Sequence, residues 1–81
     1  MSKCAIMTDL DEKRRNLFGE NVRRIRIKKG LSQDEVAARS RVTKSNLSVI
    51  ENGKRNFSFS TLLAIAKGLR VHPRELLDID F

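Results

Sequence analysis

The sequence predicts an all-α domain of five short helices. Its apolar residues recur every three or four positions, which is the spacing of one face of a helix. Ser or Thr precedes several of these segments and Gly follows them, as expected at helix starts and ends. No segment alternates apolar and polar residues as a half-buried strand would. The 81 residues suffice for one small domain, which we place at residues 9–81 after a flexible tail at residues 1–8.

A long first helix is predicted from Asp9 to Lys29. Either Thr8 or Asp9 can cap its start, and Gly30 follows as the residue that ends it. Its apolar positions recur at helical spacing and form one inward face, made by Phe18, Val22 and Ile25.

Two short helices joined by a brief turn follow at residues 32–52, which is the arrangement of a helix-turn-helix unit. Ser32 and Glu35 stand at the spacing of a capping box, in which each side chain bonds the other residue's backbone amide. Thr43 is expected to cap the second helix of the pair, and Gly53 to follow its end.

Two more helices complete the predicted domain. Ser60 is expected to cap the fourth helix, whose inward face is Leu62, Ile65, Ala66 and Leu69. His72 and Pro73 are expected to open the fifth, because Pro is favoured at the first helical position. Its predicted inward residues are Leu76 and Leu77.

The second helix of the 32–52 motif has a narrow apolar face, at Leu47 and Ile50, and a broad polar one. Short polar side chains, one Val and one Lys make up the polar face: Lys44, Ser45, Ser48, Val49 and Asn52. Ser and Asn are weak helix formers, but in a major groove they and Lys can bond base edges, while Val can contact a thymine methyl. An ordinary core helix with an unremarkable outer face accounts for the pattern equally well.

Arg26 and Glu51 each stand on, or beside, an apolar helix face. Buried charges persist mainly as pairs, and a guanidinium matches a carboxylate with two parallel hydrogen bonds. We therefore predict an ion pair that joins the first helix to the third and fixes the orientation of the third. Two solvated surface side chains are the alternative.

The formal charge of +7 is concentrated in the middle of the chain. Residues 13–55 hold thirteen basic and four acidic residues. Such a surplus attracts a polyanion, although it would also serve simply as a solvated surface. The segment N-G-K-R at residues 52–55 could hold a phosphate between its two basic side chains, or it could be an ordinary helix end.

Residue types suited to catalysis or metal binding are scarce. The single cysteine, Cys4, can make no internal disulfide, and the single histidine, His72, has no second histidine or cysteine beside it. We therefore expect no enzyme activity, no metal and no cofactor. The cysteine content and the lack of a long apolar segment predict a cytoplasmic protein.

The segment L-S-Q-D-E-V-A-A-R-S-R-V-T-K-S-N-L-S-V-I-E-N-G-K-R, at residues 31–55, resembles the helix-turn-helix of phage repressor and Cro-type regulators. The later L-x-x-I-A-x-x-L pattern at residues 62–69 extends this resemblance, which runs from about Phe18 to Leu77. The stretch K-R-N-F-S at residues 54–58 is similar to the controller proteins of restriction–modification systems. The resemblance implies the five-helix fold of lambda-repressor-like DNA-binding domains.

The resemblance also implies roles for individual residues. It implies contacts with DNA bases by Lys44, Ser45, Asn46, Ser48 and Val49. It implies contacts with DNA phosphates by Gln33, Thr43, Asn52, Lys54 and Arg55. Arg26 and Glu51 match the structural ion pair of the family, in agreement with the pair predicted from the apolar faces.

Together these features predict a sequence-specific transcriptional regulator that binds double-stranded DNA as a homodimer, with helix 43–52 in the major groove. An antitoxin-type module that binds a toxin partner and its own operator is the alternative. The family usually has Gly where this chain has Arg41 and Arg70, so a positive φ or an altered turn is expected there. Surplus apolar residues, available for the core or for a dimer contact, are Phe57, Phe59, Leu63, Ile79 and Phe81.

Overall fold

The computed structural model describes residues 9–80, and in this range the predicted all-α, five-helix fold is confirmed. The helices are α1 (Asp9–Lys28), α2 (Gln33–Arg39), α3 (Lys44–Glu51), α4 (Phe59–Leu69) and α5 (Pro73–Leu76). None of these helices is long and apolar enough to cross a lipid bilayer. The predicted tail at residues 1–8, with Cys4 and Thr8, and the predicted contact by Phe81 lie outside the described residues.

One apolar core lies between the helices. Its buried side chains are Phe18, Val22, Val36, Val42, Leu47, Ile50, Leu62, Ile65, Ala66, Leu69 and Leu76. The predicted inward faces of α3 and α4 are thus buried, whereas Ile25 of α1 is only partly buried against the core. The prediction for Leu77 was wrong, because 46% of this residue is exposed. The single turn of α5 ends at Leu76, and the next residue is rotated about 100° away from the core.

The ends of the two motif helices are fixed by side chains, as the sequence predicts. The Ser32 hydroxyl accepts the Glu35 amide at 3.0 Å, and the Ser32 amide donates to the Glu35 carboxylate at 2.8 Å. The Thr43 hydroxyl accepts the Asn46 amide at 3.1 Å. Gly53 follows α3 with a φ of +69°, which closes the helix in the left-handed conformation that glycine adopts most easily.

The predicted start of α4 was wrong by two residues. Ser58 is the cap, since its hydroxyl accepts the Thr61 amide at 3.1 Å, and Ser60 lies inside the first turn. Ser58 and Ser60 both suit a cap chemically, so sequence alone does not separate them. The prediction for α5 is confirmed: His72 caps it through a 3.1 Å bond between its Nδ1 and the Arg74 amide, and Pro73 is the first helical residue.

The two arginines at usual glycine positions behave differently. Arg70 ends α4 with a φ of 58° and a ψ of 43°, in the left-handed region. Arg41 has no positive φ, so the turn between α2 and α3 takes another form. Ser40 is extended there, its hydroxyl accepts the Val42 amide at 3.2 Å, and Val42 is buried in the core.

Two glycines let helix backbones touch where the motif is held. A Cβ at Gly19 of α1 would lie 2.4 Å from the carbonyl oxygen of Ile50 in α3. A Cβ at Gly68 of α4 would lie 2.9 Å from the carbonyl oxygen of Val36 in α2. Both separations are too short for a side chain, so α1 fits tightly against α3 and α4 fits tightly against α2. The two motif helices are therefore positioned by the helices behind them.

Candidate nucleic-acid interface

The helix α3 divides into an inner and an outer face. Leu47 and Ile50 are buried in the core, with 0% and 1% of their surfaces exposed. The residues predicted to contact bases lie on the other side: Lys44 and Ser45 are exposed, and Asn46, Ser48 and Val49 are half-buried. The outer face therefore presents short side chains from a helix whose position is fixed by its apolar side.

Arg26 and Glu51 lie together at the crossing of α1 and α3, in the arrangement that the sequence predicts. Arg26 Nε donates to Glu51 Oε2 at 2.8 Å, and Arg26 Nη2 donates to Oε1 at 3.1 Å. A third donor, Nη1, bonds the carbonyl of Leu31 at 2.9 Å, just before the motif. Only 12% of the arginine side chain and 3% of the glutamate side chain are exposed. The pair thus fixes the end of α3 to α1 and to the start of the motif.

Gln33, predicted to contact a phosphate, has a partner within the protein. Its Nε2 donates to Glu51 Oε1 at 3.0 Å, beside the bond from Arg26. The half-buried Gln33 therefore joins α2 to the same carboxylate that α1 holds.

Lys44 also has a partner in α2. Its Nζ lies 3.4 Å from Oδ2 of Asp34, and both side chains are mostly exposed. An exposed pair of this kind adds little to stability, but it places an acidic group on the same surface as the residues predicted to contact DNA.

The segment after α3 carries two exposed basic residues, Lys54 and Arg55, close to the outer face. Arg55 Nη1 donates to Oδ1 of Asn46 at 3.2 Å, so one of these basic residues bonds a residue of α3 itself. Asn52 and Thr43, at the two ends of α3, are also exposed. The residues predicted to contact phosphates thus flank the residues predicted to contact bases.

Sequence reasoning missed the contribution of Arg15. From α1, its Nε donates to the carbonyl of Gly53 at 3.3 Å, and its Nη1 lies 3.5 Å from Oδ1 of Asn56. These bonds fix the segment that carries Lys54 and Arg55. The cluster K-R-R at residues 13–15 was visible in the sequence, but nothing in it indicated which loop it would contact.

Asn21 was also missed, although a signal was present. It is 2% exposed, and its Nδ2 donates to the carbonyls of Glu75 and Leu76, both at 3.0 Å. Arg24 donates to its Oδ1. Asn21 stands three residues after Phe18, within the apolar stripe of α1, and such a polar residue usually needs buried partners. It holds α5 against α1.

The exposed side chains on and beside α3 can bond an extended anion. The exposed basic residues Lys44, Lys54 and Arg55 lie on α3 or soon after it, and Ser45 and Ser48 add short hydroxyl groups on the same helix. Among residues 9–80, no group of three or more His, Cys, Asp or Glu side chains could hold a metal ion.

The model of the helix-turn-helix family matches residues 22–76, which contain α2 to α5 and the second half of α1. The chain is a helix-turn-helix DNA-binding transcriptional regulator. The matched region carries the capping box, the α3 outer face, and the Arg26–Glu51 pair.

Proteins similar to this regulator include a control protein, an HTH-type transcriptional regulator and a restriction–modification controller protein. It is 42% identical over 65 residues to the control protein C.BamHI of Bacillus amyloliquefaciens, covering 79% of the regulator and 80% of the relative. It is 44% identical over 63 residues to an uncharacterized HTH-type transcriptional regulator, y4dJ, of Sinorhizobium fredii, covering 78% and 82%. The crystal structure of the controller protein C.AhdI of Aeromonas hydrophila superposes with a TM-score of 0.76 at 38% identity, covering 79% of the regulator and 97% of C.AhdI.

Proposed function

We propose that this regulator binds specific sequences of double-stranded DNA by placing α3 in the major groove. The observation that carries the proposal is the outer face of α3, where short polar side chains project from a helix fixed by Arg26 and Glu51. A major groove is wide enough for a helix, and short side chains let its axis approach the base edges. Thr43, before that face, and the residues that follow it, Asn52, Lys54 and Arg55, would contact the phosphate backbones.

The proposed base contacts are those of the outer face. Lys44 would donate to guanine acceptors, and Ser45 and Ser48 would exchange hydrogen bonds with any base edge. Asn46 would bond adenine, and Val49 would contact a thymine methyl. All five are at least partly exposed on α3.

The proposed phosphate contacts are Thr43, Asn52, Lys54 and Arg55, which flank this face. Phosphate contacts set the register of a protein on DNA without reading its sequence. Gln33 would join this group through the amide N–H that does not donate to Glu51.

We also propose that the regulator acts as a homodimer. Phe59 and Leu63 stand one turn apart on α4, and 73% and 40% of their surfaces are exposed. Two copies related by a two-fold axis would cover these side chains on both partners. They would then present two α3 helices to half-sites about 34 Å apart, one turn of DNA.

Control of a restriction–modification system is the biological role that the relatives favour. Two of the similar solved structures are restriction–modification controller proteins, and the K-R-N-F-S stretch at residues 54–58 belongs to the same resemblance.

The salt dependence of binding tests the proposal directly. Each neutralised phosphate releases counterions, so log Kd should change linearly with log salt between about 50 mM and about 200 mM. Lys54→Ala should weaken selected and scrambled duplexes alike and reduce the slope by about one unit. An affinity for duplex DNA that hardly changes with salt would contradict the phosphate contacts, and with them the proposed function.

A further inference from the structure

The first turn of α2 contacts α3, the helix proposed to face DNA, at both ends of α3. Gln33 Nε2 donates to Oε1 of Glu51, the last residue of α3, at 3.0 Å. The carboxylate of the next residue, Asp34, lies 3.4 Å from Nζ of Lys44, the first residue of α3. Two consecutive residues therefore contact the beginning and the end of an eight-residue helix.

The contact of Gln33 acts on a buried group. The Glu51 side chain is 3% exposed, and its Oε1 accepts hydrogen bonds from both Gln33 and Arg26. A buried carboxylate oxygen depends on such donors because water cannot replace them without opening the structure. Gln33 therefore acts on the end of α3 through Glu51, and one of its two amide N–H groups is engaged before any DNA arrives.

The contact of Asp34 is exposed and has a different consequence. Side-chain exposure is 72% for Asp34 and 59% for Lys44, so the pair contributes little to folding. Its effect is on charge and position at the interface. The carboxylate competes with DNA phosphates for the Lys44 ammonium, and it repels any phosphate that comes close to it. Non-specific binding to DNA consists mainly of phosphate contacts. This repulsion therefore weakens non-specific complexes more than specific ones.

We propose that Gln33 and Asp34 are positioning residues for sequence discrimination. Gln33 fixes the end of α3 through Glu51, and Asp34 holds Lys44 away from the phosphates until a matching base edge is available. Neither residue contacts a base. The inference rests on the proposed function, and it gives Gln33 a role in addition to the phosphate contact that the family resemblance implies.

The test for Gln33 compares Gln33→Met with Lys54→Ala, which loses a proposed phosphate contact alone. Met has a similar length to Gln and no N–H donor. Kd is measured across a salt series for a site selected from random duplexes and for a scrambled duplex, and thermal unfolding verifies that each variant is folded at the assay temperature. For Gln33→Met, the Kd for the scrambled duplex divided by the Kd for the selected site should fall by about threefold or more. Lys54→Ala should retain this ratio.

A different result would identify Gln33 as a phosphate contact. In that case Gln33→Met would weaken both duplexes equally and leave the ratio unchanged, as Lys54→Ala does, which would overturn the inference for this residue.

The test for Asp34 compares Asp34→Asn with Glu20→Gln, a charge-matched change on the exposed surface of α1. Asp34→Asn should tighten binding to the scrambled duplex more than to the selected site, and lower the ratio by about threefold or more. Glu20→Gln should leave the ratio unchanged. Equal ratios for the two variants would overturn the role of Asp34. A wild-type chain that binds both duplexes equally would instead overturn the proposed function, and the inference with it.

Discussion

At Glu51, one carboxylate with 3% of its side chain exposed accepts hydrogen bonds from Arg26 of α1 and Gln33 of α2. The residue itself ends α3. Three helices therefore meet at two oxygen atoms. Removing one partner of a buried ion pair is costly because it leaves the other charge buried without compensation. Replacing both partners by apolar residues of similar volume often costs little.

Glu51→Ala should consequently lower the free energy of unfolding by about 3 kcal/mol, because the Arg26 side chain, 12% exposed in the wild-type structure, would lose its carboxylate partner. The double variant Arg26→Met, Glu51→Leu should recover most of that loss. Urea unfolding of the three proteins measures both effects. A loss below about 1 kcal/mol for Glu51→Ala would show that the pair behaves like an exposed one.

At the scale of single elements, the end of α4 carries a strained residue. Arg70 has a φ of 58° and is exposed. A non-glycine residue in this region costs about 1 kcal/mol or more relative to glycine.

Arg70→Gly should therefore raise the free energy of unfolding by about 0.5–1 kcal/mol, since glycine adopts this conformation without a clash of its side chain. Arg70→Ala is the matched control, because it removes the same charged side chain but keeps the Cβ. Thermal and urea unfolding of both variants make the comparison. If the two variants were equally stable, the strain would not reside in the backbone of Arg70.

The start of α2 depends on a titratable cap. Hydrogen bonds from the Ser32 backbone and side chain lower the pKa of Glu35 below its ordinary value of 4.5. A carboxyl group whose pKa is lower in the folded state contributes stability that is present above its unfolded pKa. That contribution is lost as the pH falls through the folded value.

Wild-type protein should thus lose more unfolding free energy between about pH 6 and about pH 3 than Glu35→Gln does. Gln at this position still serves in a capping box but does not titrate. Urea unfolding at a series of pH values measures the difference. Identical pH profiles would mean that the Glu35 carboxylate adds nothing to α2.

At the scale of the whole molecule, the fold follows largely from local signals. The apolar spacing of α4 and the caps at Ser32, Thr43 and His72 were readable, because each depends on residues within one turn of one another. The end of the described chain was less predictable. The orientation of Leu77 depends on where the short α5 stops, and Asn21 of α1 helps to decide that from a distant part of the sequence.

The candidate interface was predicted less completely than the fold. The outer face of α3 and the pairing of Arg26 with Glu51 follow from helical periodicity and from the cost of burying a charge. The bonds of Arg15 to the loop after α3, of Gln33 to Glu51, and of Arg55 to Asn46 join residues that are separated in the chain. Such contacts depend on how the helices cross, which Gly19 and Gly68 allow but periodicity does not specify.

The central claim is that α3 reads base sequence in double-stranded DNA. Selection from random duplexes with wild-type protein and with Ser45→Ala and Lys44→Ala tests it most directly, with Lys54→Ala as a variant that should change affinity alone. The wild-type protein should select a two-fold symmetric motif with half-sites about one DNA turn apart. The preference should change at a few symmetric positions for the two α3 variants and remain unchanged for Lys54→Ala. Recovery of the same motif from all four proteins, or of no motif from the wild type, would contradict it.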